Sequence, residues 1–218
     1  MNTKSTNVNL RGKKALLVFI AIFTFFISTN AQDIISEPEI KIEHEQVTLY
    51  AGFSPDSNTF LSIARTKDAR FGYIALQYSK RFFSNKKIEA NYTMDIVPYA
   101  SLDYPLPQSS KRIRRRANSF GLAPIGIQIR FPLHKGKLVT FFGVSGGFLY
   151  FNKKIPNNSG TKFNFTASLN SGVEIPISQN KSLVLGYNYY HISNGNRGVI
   201  NPGFDNNVFT VGYKINLK

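Results

Sequence analysis

The sequence predicts an all-β protein, an eight-stranded antiparallel transmembrane β-barrel of the outer-membrane type, on three observations. Almost every segment after residue 40 alternates apolar and polar residues with period two, and none keeps a helical period. Eight such segments follow one another, an even number, joined by connections that are long on one rim and short on the other. Tyrosine and phenylalanine contribute 11 and 19 residues, many near segment ends, where the aromatic girdles of a barrel meet the membrane surfaces.

Taken in order, residues 1–31 read as a signal peptide. Lys4, Arg11, Lys13 and Lys14 stand without an acid, Ala15–Ile27 is apolar, and Thr29-Asn30-Ala31 offers small or polar residues before Gln32. The apolar run is too short to cross a bilayer as a helix. Residues 32–41, with Glu37, Pro38 and Glu39, form a periplasmic lead-in, and 42–218 form the barrel.

Strands are expected at 42–53 and 70–82, separated by a long connection, 54–69. The turn Ser84-Asn85-Lys86-Lys87 leads into strand three at 88–101, where Ile88, Ala90, Tyr92, Met94 and Ile96 alternate with Glu89, Asn91, Thr93 and Asp95. After the long connection 102–117 comes strand four, 118–132. Pro98 and Pro124 fall inside strands three and four; proline brings no N–H to the ladder, so a bulge is expected at each.

His134-Lys135-Gly136 turns the chain into strand five, 137–151, where the glycines from Gly143 to Gly147 relieve crowding rather than cradle a phosphate. An intermediate connection, 152–161, precedes strand six, 162–176, with Phe163, Phe165, Ala167, Leu169, Val173 and Ile175 on one face and Asn164, Thr166, Ser168, Asn170 and Glu174 on the other. Ser178-Gln179-Asn180 is the last short turn, before strand seven at 181–193, the long connection 194–206 and strand eight at 207–217. Alternation by itself does not choose between lipid and a soluble core, so a soluble β-sandwich or lipocalin-like barrel shares the pattern. Strands of 11–15 residues exceed those of ordinary soluble sheets. Eight strands leave an interior filled by side chains, which disfavours a porin.

The chain has no cysteine, which excludes a disulfide scaffold, a thiol nucleophile and a thiolate metal site. His44, His134 and His191 lack metal-ligand spacing, so no metal and no cofactor are expected. Removing the four cations of residues 1–31 from the formal charge of +15 leaves +11. In an exported chain that balance points to anionic lipid and away from nucleic acid. Part of it is one run, Lys111, Arg112, Arg114, Arg115 and Arg116, read either as a solvated loop or as a contact for the phosphates of lipopolysaccharide.

The end of strand seven carries the chemistry. Leu183, Leu185, Tyr187, Tyr189, His191 and Ser193 share one face, and Asp205 has the parity of Phe209, Val211, Tyr213 and Ile215 on strand eight. If the apolar face meets lipid, histidine, serine and aspartate all face the acyl-chain region, a costly placement unless they bond to one another. Ser193 would be the nucleophile, His191 its base and Asp205 the orienter of the imidazole. The bland alternative is a strand running into a polar rim loop, with His-x-Ser an accident of spacing.

His191-Ile192-Ser193-Asn194, followed by Asn201, Gly203 and an acid at 205, resembles the lipid A 3-O-deacylase family, whose pattern is His-x-Ser-Asn, then Asn and Gly, then Glu fourteen residues after the histidine. The specific match covers roughly 183–217, and the rest agrees in architecture. The resemblance implies an outer-membrane serine esterase, its site facing the outer leaflet, that removes the 3-O-linked acyl chain of lipid A without metal. It implies that Asn194 helps to hold the oxyanion with a loop N–H, that of Asn196, and that Asn201 belongs to the same positioning set. Two departures stand out: Asp205 replaces the family's glutamate, and Gly195-Asn196 replaces Ala-Gly. The implied partners are lipid A or lipopolysaccharide and outer-membrane lipids, with the protein a monomer or homodimer. The alternatives are a non-catalytic small barrel acting in adhesion or envelope integrity through loops 54–69 and 102–117, and a soluble barrel holding an apolar ligand.

Overall fold

The computed structural model describes residues 45–57, 64–106, 113–133 and 137–217. The segments read as a signal peptide and lead-in, the turn expected at 134–136, Lys111 and Arg112 lie outside the described residues. Eight antiparallel strands form one closed barrel: β1 Glu45–Ser54, β2 Arg70–Ser84, β3 Glu89–Pro105, β4 Arg114–Leu133, β5 Leu138–Ile155, β6 Thr161–Ser178, β7 Lys181–Ser193 and β8 Phe204–Asn216. Each strand pairs with its sequence neighbours, and β1 closes the ring on β8 with Val47 opposite Ile215. No helix occurs among the described residues.

The exposed and buried faces decide what the barrel sits in. On β8, Phe209, Val211, Tyr213 and Ile215 are exposed while Val208, Gly212 and Lys214 are buried; on β6, Phe165, Ile175 and Ile177 are exposed while Asn164, Thr166, Ser168 and Glu174 are buried. The apolar rows thus face outward and the polar rows inward, the reverse of a soluble barrel and the pattern of an outer-membrane one. This removes the soluble alternative.

The interior is packed in tiers. Near the short turns, Glu174 is clasped by Arg130, whose Nε and terminal nitrogen donate to it at 3.1 and 2.5 Å, and by Lys214. Arg130 also donates to Glu89, which takes a second bond from Arg81 at 3.0 Å. Such a chain of charges is tolerable out of water because every cation meets a carboxylate. At mid-height Gln77 bridges Tyr50 and Asp95 at 3.2 and 2.8 Å. Toward the long connections an apolar cluster takes over, with Phe71, Tyr104, Leu149, Phe151, Ile192 and Phe204 all buried. No channel is needed to explain this interior, and side chains fill it as an eight-stranded barrel allows.

The bulges fall where the prolines stand: register shifts lie between Val97 and Ala100 in the β3–β4 pairing and between Leu122 and Ile125 in β4–β5. The strand assignment needs correction in three places: β5 runs on to Ile155, into the expected connection 152–161, β8 begins at Phe204 within the expected connection 194–206, and 102–117 is paired at both ends. The segment 102–117 is not all connection, for β3 runs to Pro105 and β4 begins at Arg114, with Asp103 opposite Arg116. Asp103 accepts from Arg114 Nε at 2.8 Å and lies 3.6 Å from Arg116, which relieves the repulsion within the basic run and lets pairing continue.

Candidate active site

β7 and β8 meet at the long-connection rim with Ile192 opposite Phe204 and His191 opposite Asp205. Because side chains alternate, the first of these pairs points inward and the second outward. Ile192 and Phe204 are buried in the apolar cluster, where Phe204 packs edge-on against Tyr104 at 5.3 Å. This inward anchor fixes the strand ends behind the outward pair.

His191 Nδ1 lies 2.5 Å from Asp205 Oδ1. A carboxylate can only accept, so Nδ1 carries the proton and Nε2 keeps its lone pair for another donor. The other carboxylate oxygen, Oδ2, accepts the backbone N–H of Ala64 at 2.9 Å, and Asp205 is fully buried. The segment after β1 folds across β8 to do this, with Ser57 bridged to Asn206, Thr66 bridged to Phe204, and Arg65 N donating to the carbonyl of Pro202 at 2.6 Å. Gly203, at φ 66°, permits the crossing: a Cβ there would stand 3.1 Å from Ala64 Cβ and 3.4 Å from His191 Cε1. Tyr189, two residues before His191 on the same row, is also covered, its hydroxyl buried beside Asp205.

Ser193 follows on the outward row, half-buried and opposite Phe165 of β6. Its hydroxyl makes no hydrogen bond among the described residues, so it is free to turn toward His191 Nε2 or a substrate. The chain then reverses tightly. Gly195 and Asn196 stand at φ 62° and 61° while Arg197 N–H donates to the carbonyl of Asn194 at 3.2 Å, the positive-φ pattern of a type I′ turn that glycine and asparagine accept most readily.

Three asparagines brace this loop. Asn194 Nδ2 donates to the carbonyl of Ile200 at 2.8 Å, Asn194 N donates to Asn201 Oδ1 at 3.0 Å, and Asn201 Nδ2 donates to Asn196 Oδ1 at 3.1 Å. His191, Ser193, Asp205, Asn194, Asn196 and Asn201 therefore gather at one place. Arg114, Arg115 and Arg116 do not join them, since β4 lies halfway round the ring from β8. No cluster of metal-ligating side chains occurs among the described residues. Ala64 was not foreseeable, because its contribution is a backbone N–H from a segment 141 residues before Asp205.

The family model of lipid A 3-O-deacylase (PagL) matches residues 72–214. The chain belongs to the PagL family. The match extends from β2 to β8, well beyond the motif in the last two strands. Among solved structures, the crystal structure of the outer membrane enzyme PagL superposes with a TM-score of 0.53 at 14% identity, covering 77% of this chain and 98% of that one. Neisserial surface protein A gives 0.46 at 11% identity (80% and 99% covered), and Ail of Yersinia pestis gives 0.45 at 11% (81% and 100%). These likenesses concern the fold. No curated protein sequence matches the chain significantly.

Proposed function

We propose that this PagL-family barrel hydrolyses the ester-linked acyl chain at position 3 of lipid A in the outer leaflet. The observation that carries the reading is the short His191–Asp205 contact on the lipid-facing side, with Ser193 two residues further along the same row. A lipid meets that face by lateral diffusion, its ester group at the rim and its acyl chains along the outward apolar rows of β6, β7 and β8.

Ser193 Oγ attacks the ester carbonyl while His191 Nε2 takes its proton. Asp205 holds the imidazole in the tautomer that leaves Nε2 free and stabilises the imidazolium that forms. The tetrahedral oxyanion is met by the backbone N–H of Asn196 and the second N–H of Asn201 Nδ2. Asn194, whose side chain is buried with one N–H on the carbonyl of Ile200, shapes the loop that presents them instead of reaching the ester. His191 then protonates the departing sugar hydroxyl. Water, deprotonated by His191, releases the fatty acid from Ser193.

The shorter acid of this chain suffices on this reading because Asp205 stands directly across from His191 and its carboxylate already reaches the ring. All the groups come from one chain, so a single barrel is competent. The test is purified barrel in detergent with lipid A, assayed for free 3-hydroxy fatty acid. Release by the wild type and none by Ser193→Ala supports the reading; equal release by both contradicts it.

A further inference from the structure

Beside Ser193, between the β5–β6 hairpin and the β7–β8 loop, lies an outward groove of about 500 Å³ lined by Lys154, Ser159, Thr161, Lys162, Phe163 and Arg197, among others. Its charged lining is all cationic, and none of Lys154, Lys162 and Arg197 pairs with a carboxylate among the described residues. Three uncompensated cations in one concavity repel one another and are stabilised by an anion. Arg114 and Arg116 differ, since Asp103 already engages both.

The groove is also held in shape. Arg197 closes the turn after Ser193, and its guanidinium lies over the rings of Phe163 and Phe165, 5.5 and 5.9 Å from their centroids. Ile200 N–H donates to the carbonyl of Ser159 at 3.3 Å, and a Cβ on Gly198 would come within 3.0 Å of that same oxygen, so hairpin and loop are pressed together. Phe163 stacks on Phe148 at 5.2 Å, and Phe165 stands opposite Ser193. Aromatic rows of this kind mark the membrane interface, which puts the cations just above them at headgroup height.

We propose that this groove binds a phosphate of the glycolipid headgroup and thereby sets which ester reaches Ser193. The identity of the glycolipid rests on the deacylase reading, whereas the anion site rests on the groove alone. Ser159 adds a hydroxyl donor to the three cations, a set suited to phosphate oxygens, while the Thr161 hydroxyl is held within the strand by its bond to the carbonyl of Phe163 at 2.6 Å.

The test uses the Ser193→Ala barrel in detergent micelles and counts lipid adducts by native mass spectrometry. Lipid A with its phosphates is compared with the same lipid enzymatically dephosphorylated. The phosphorylated form is expected to bind about tenfold more tightly or better, and Lys162→Gln with Arg197→Gln is expected to erase that preference. Equal affinity for the two lipids, or a preference that survives the double substitution, overturns the proposal. Displacement of the lipid by an equal concentration of inorganic phosphate would assign the groove to free phosphate and overturn the headgroup assignment. Heat-modifiable gel mobility reports folding; should the double variant not fold, Lys154→Gln carries the test, with a partial loss of preference expected and none contradicting. Hydrolysis is not required: phosphate-dependent adducts from a protein that releases no fatty acid would uphold the groove while removing the deacylase reading.

Discussion

Replacing Asp205 with asparagine separates the two bonds that its carboxylate makes. Oδ1 accepts from His191 Nδ1 and Oδ2 accepts from Ala64 N–H, and neither oxygen sees solvent. An amide has one oxygen to offer and must place its NH2 opposite the other partner. Ala64 N–H is a backbone donor and cannot become an acceptor, whereas imidazole changes tautomer at little cost. The amide oxygen therefore goes to Ala64 and the NH2 to His191, which forces the ring proton onto Nε2, where it blocks proton transfer from Ser193.

A wrong tautomer of this kind lowers kcat by about 10⁴, equivalent to about 5 kcal/mol of barrier. Stability should fall much less, by about 1.5–3 kcal/mol for the lost charge-assisted bond. The assay is release of 3-hydroxy fatty acid from lipid A by purified protein, with gel mobility confirming the folded barrel. An asparagine variant within about threefold of the wild-type kcat would refute the assignment of Asp205 as orienter. Asp205→Glu extends the argument, for another methylene adds about 1.5 Å where the contact is already 2.5 Å. Restoring the family's glutamate should thus lower the rate, and a gain would show that the register argument is wrong.

Three other outcomes follow from the fold. Glu174→Gln leaves Arg130 and Lys214 sharing one acceptor oxygen inside the barrel and should cost about 3–5 kcal/mol in reversible urea unfolding. Val211→Arg puts a charge on the exposed row between Leu185 and Ala51 and should cost about 2–4 kcal/mol in folding into vesicles, whereas an unchanged free energy would mean that this row does not meet lipid. Gly203→Val places a branched side chain at φ 66° against Ala64 and should lower kcat more than it lowers stability, measured on the same preparation, because the crowding acts first on the segment that holds Asp205.

Parity was legible from the residues. Leu183, Leu185 and Tyr187 run in one row with His191 and Ser193, so once the apolar face is outward the catalytic types must be outward too. Pro98 and Pro124 were legible as bulges because a missing N–H has to be accommodated wherever it occurs in a ladder. The contact between His191 and Asp205 was not legible in the same way. Parity permitted it, but the register across the β7–β8 loop fixes it, and register depends on how Gly195, Asn196 and Gly203 fold that loop. The strand ends near Pro105 and Arg114 were misplaced because charged rim residues do not announce where pairing stops; Asp103 decides it through its contacts.

The covering of Asp205 by Ala64 and the meeting of Lys154, Lys162 and Arg197 were invisible for a common reason. Each joins segments remote in sequence through loops whose paths the residues alone do not specify. The basic run at 111–116 drew attention by its density, yet Asp103 occupies Arg114 and Arg116, while the cations beside Ser193 come from three separate points of the chain.

The most direct measurement is a mass spectrum of lipid A from a lipopolysaccharide-bearing host that expresses this chain, recorded beside the Ser193→Ala variant and the empty host. The account predicts the loss of one hydroxyacyl mass in the wild-type sample alone. Identical spectra from all three, with both barrels folded in the outer membrane and a known deacylase active in the same host, would contradict it.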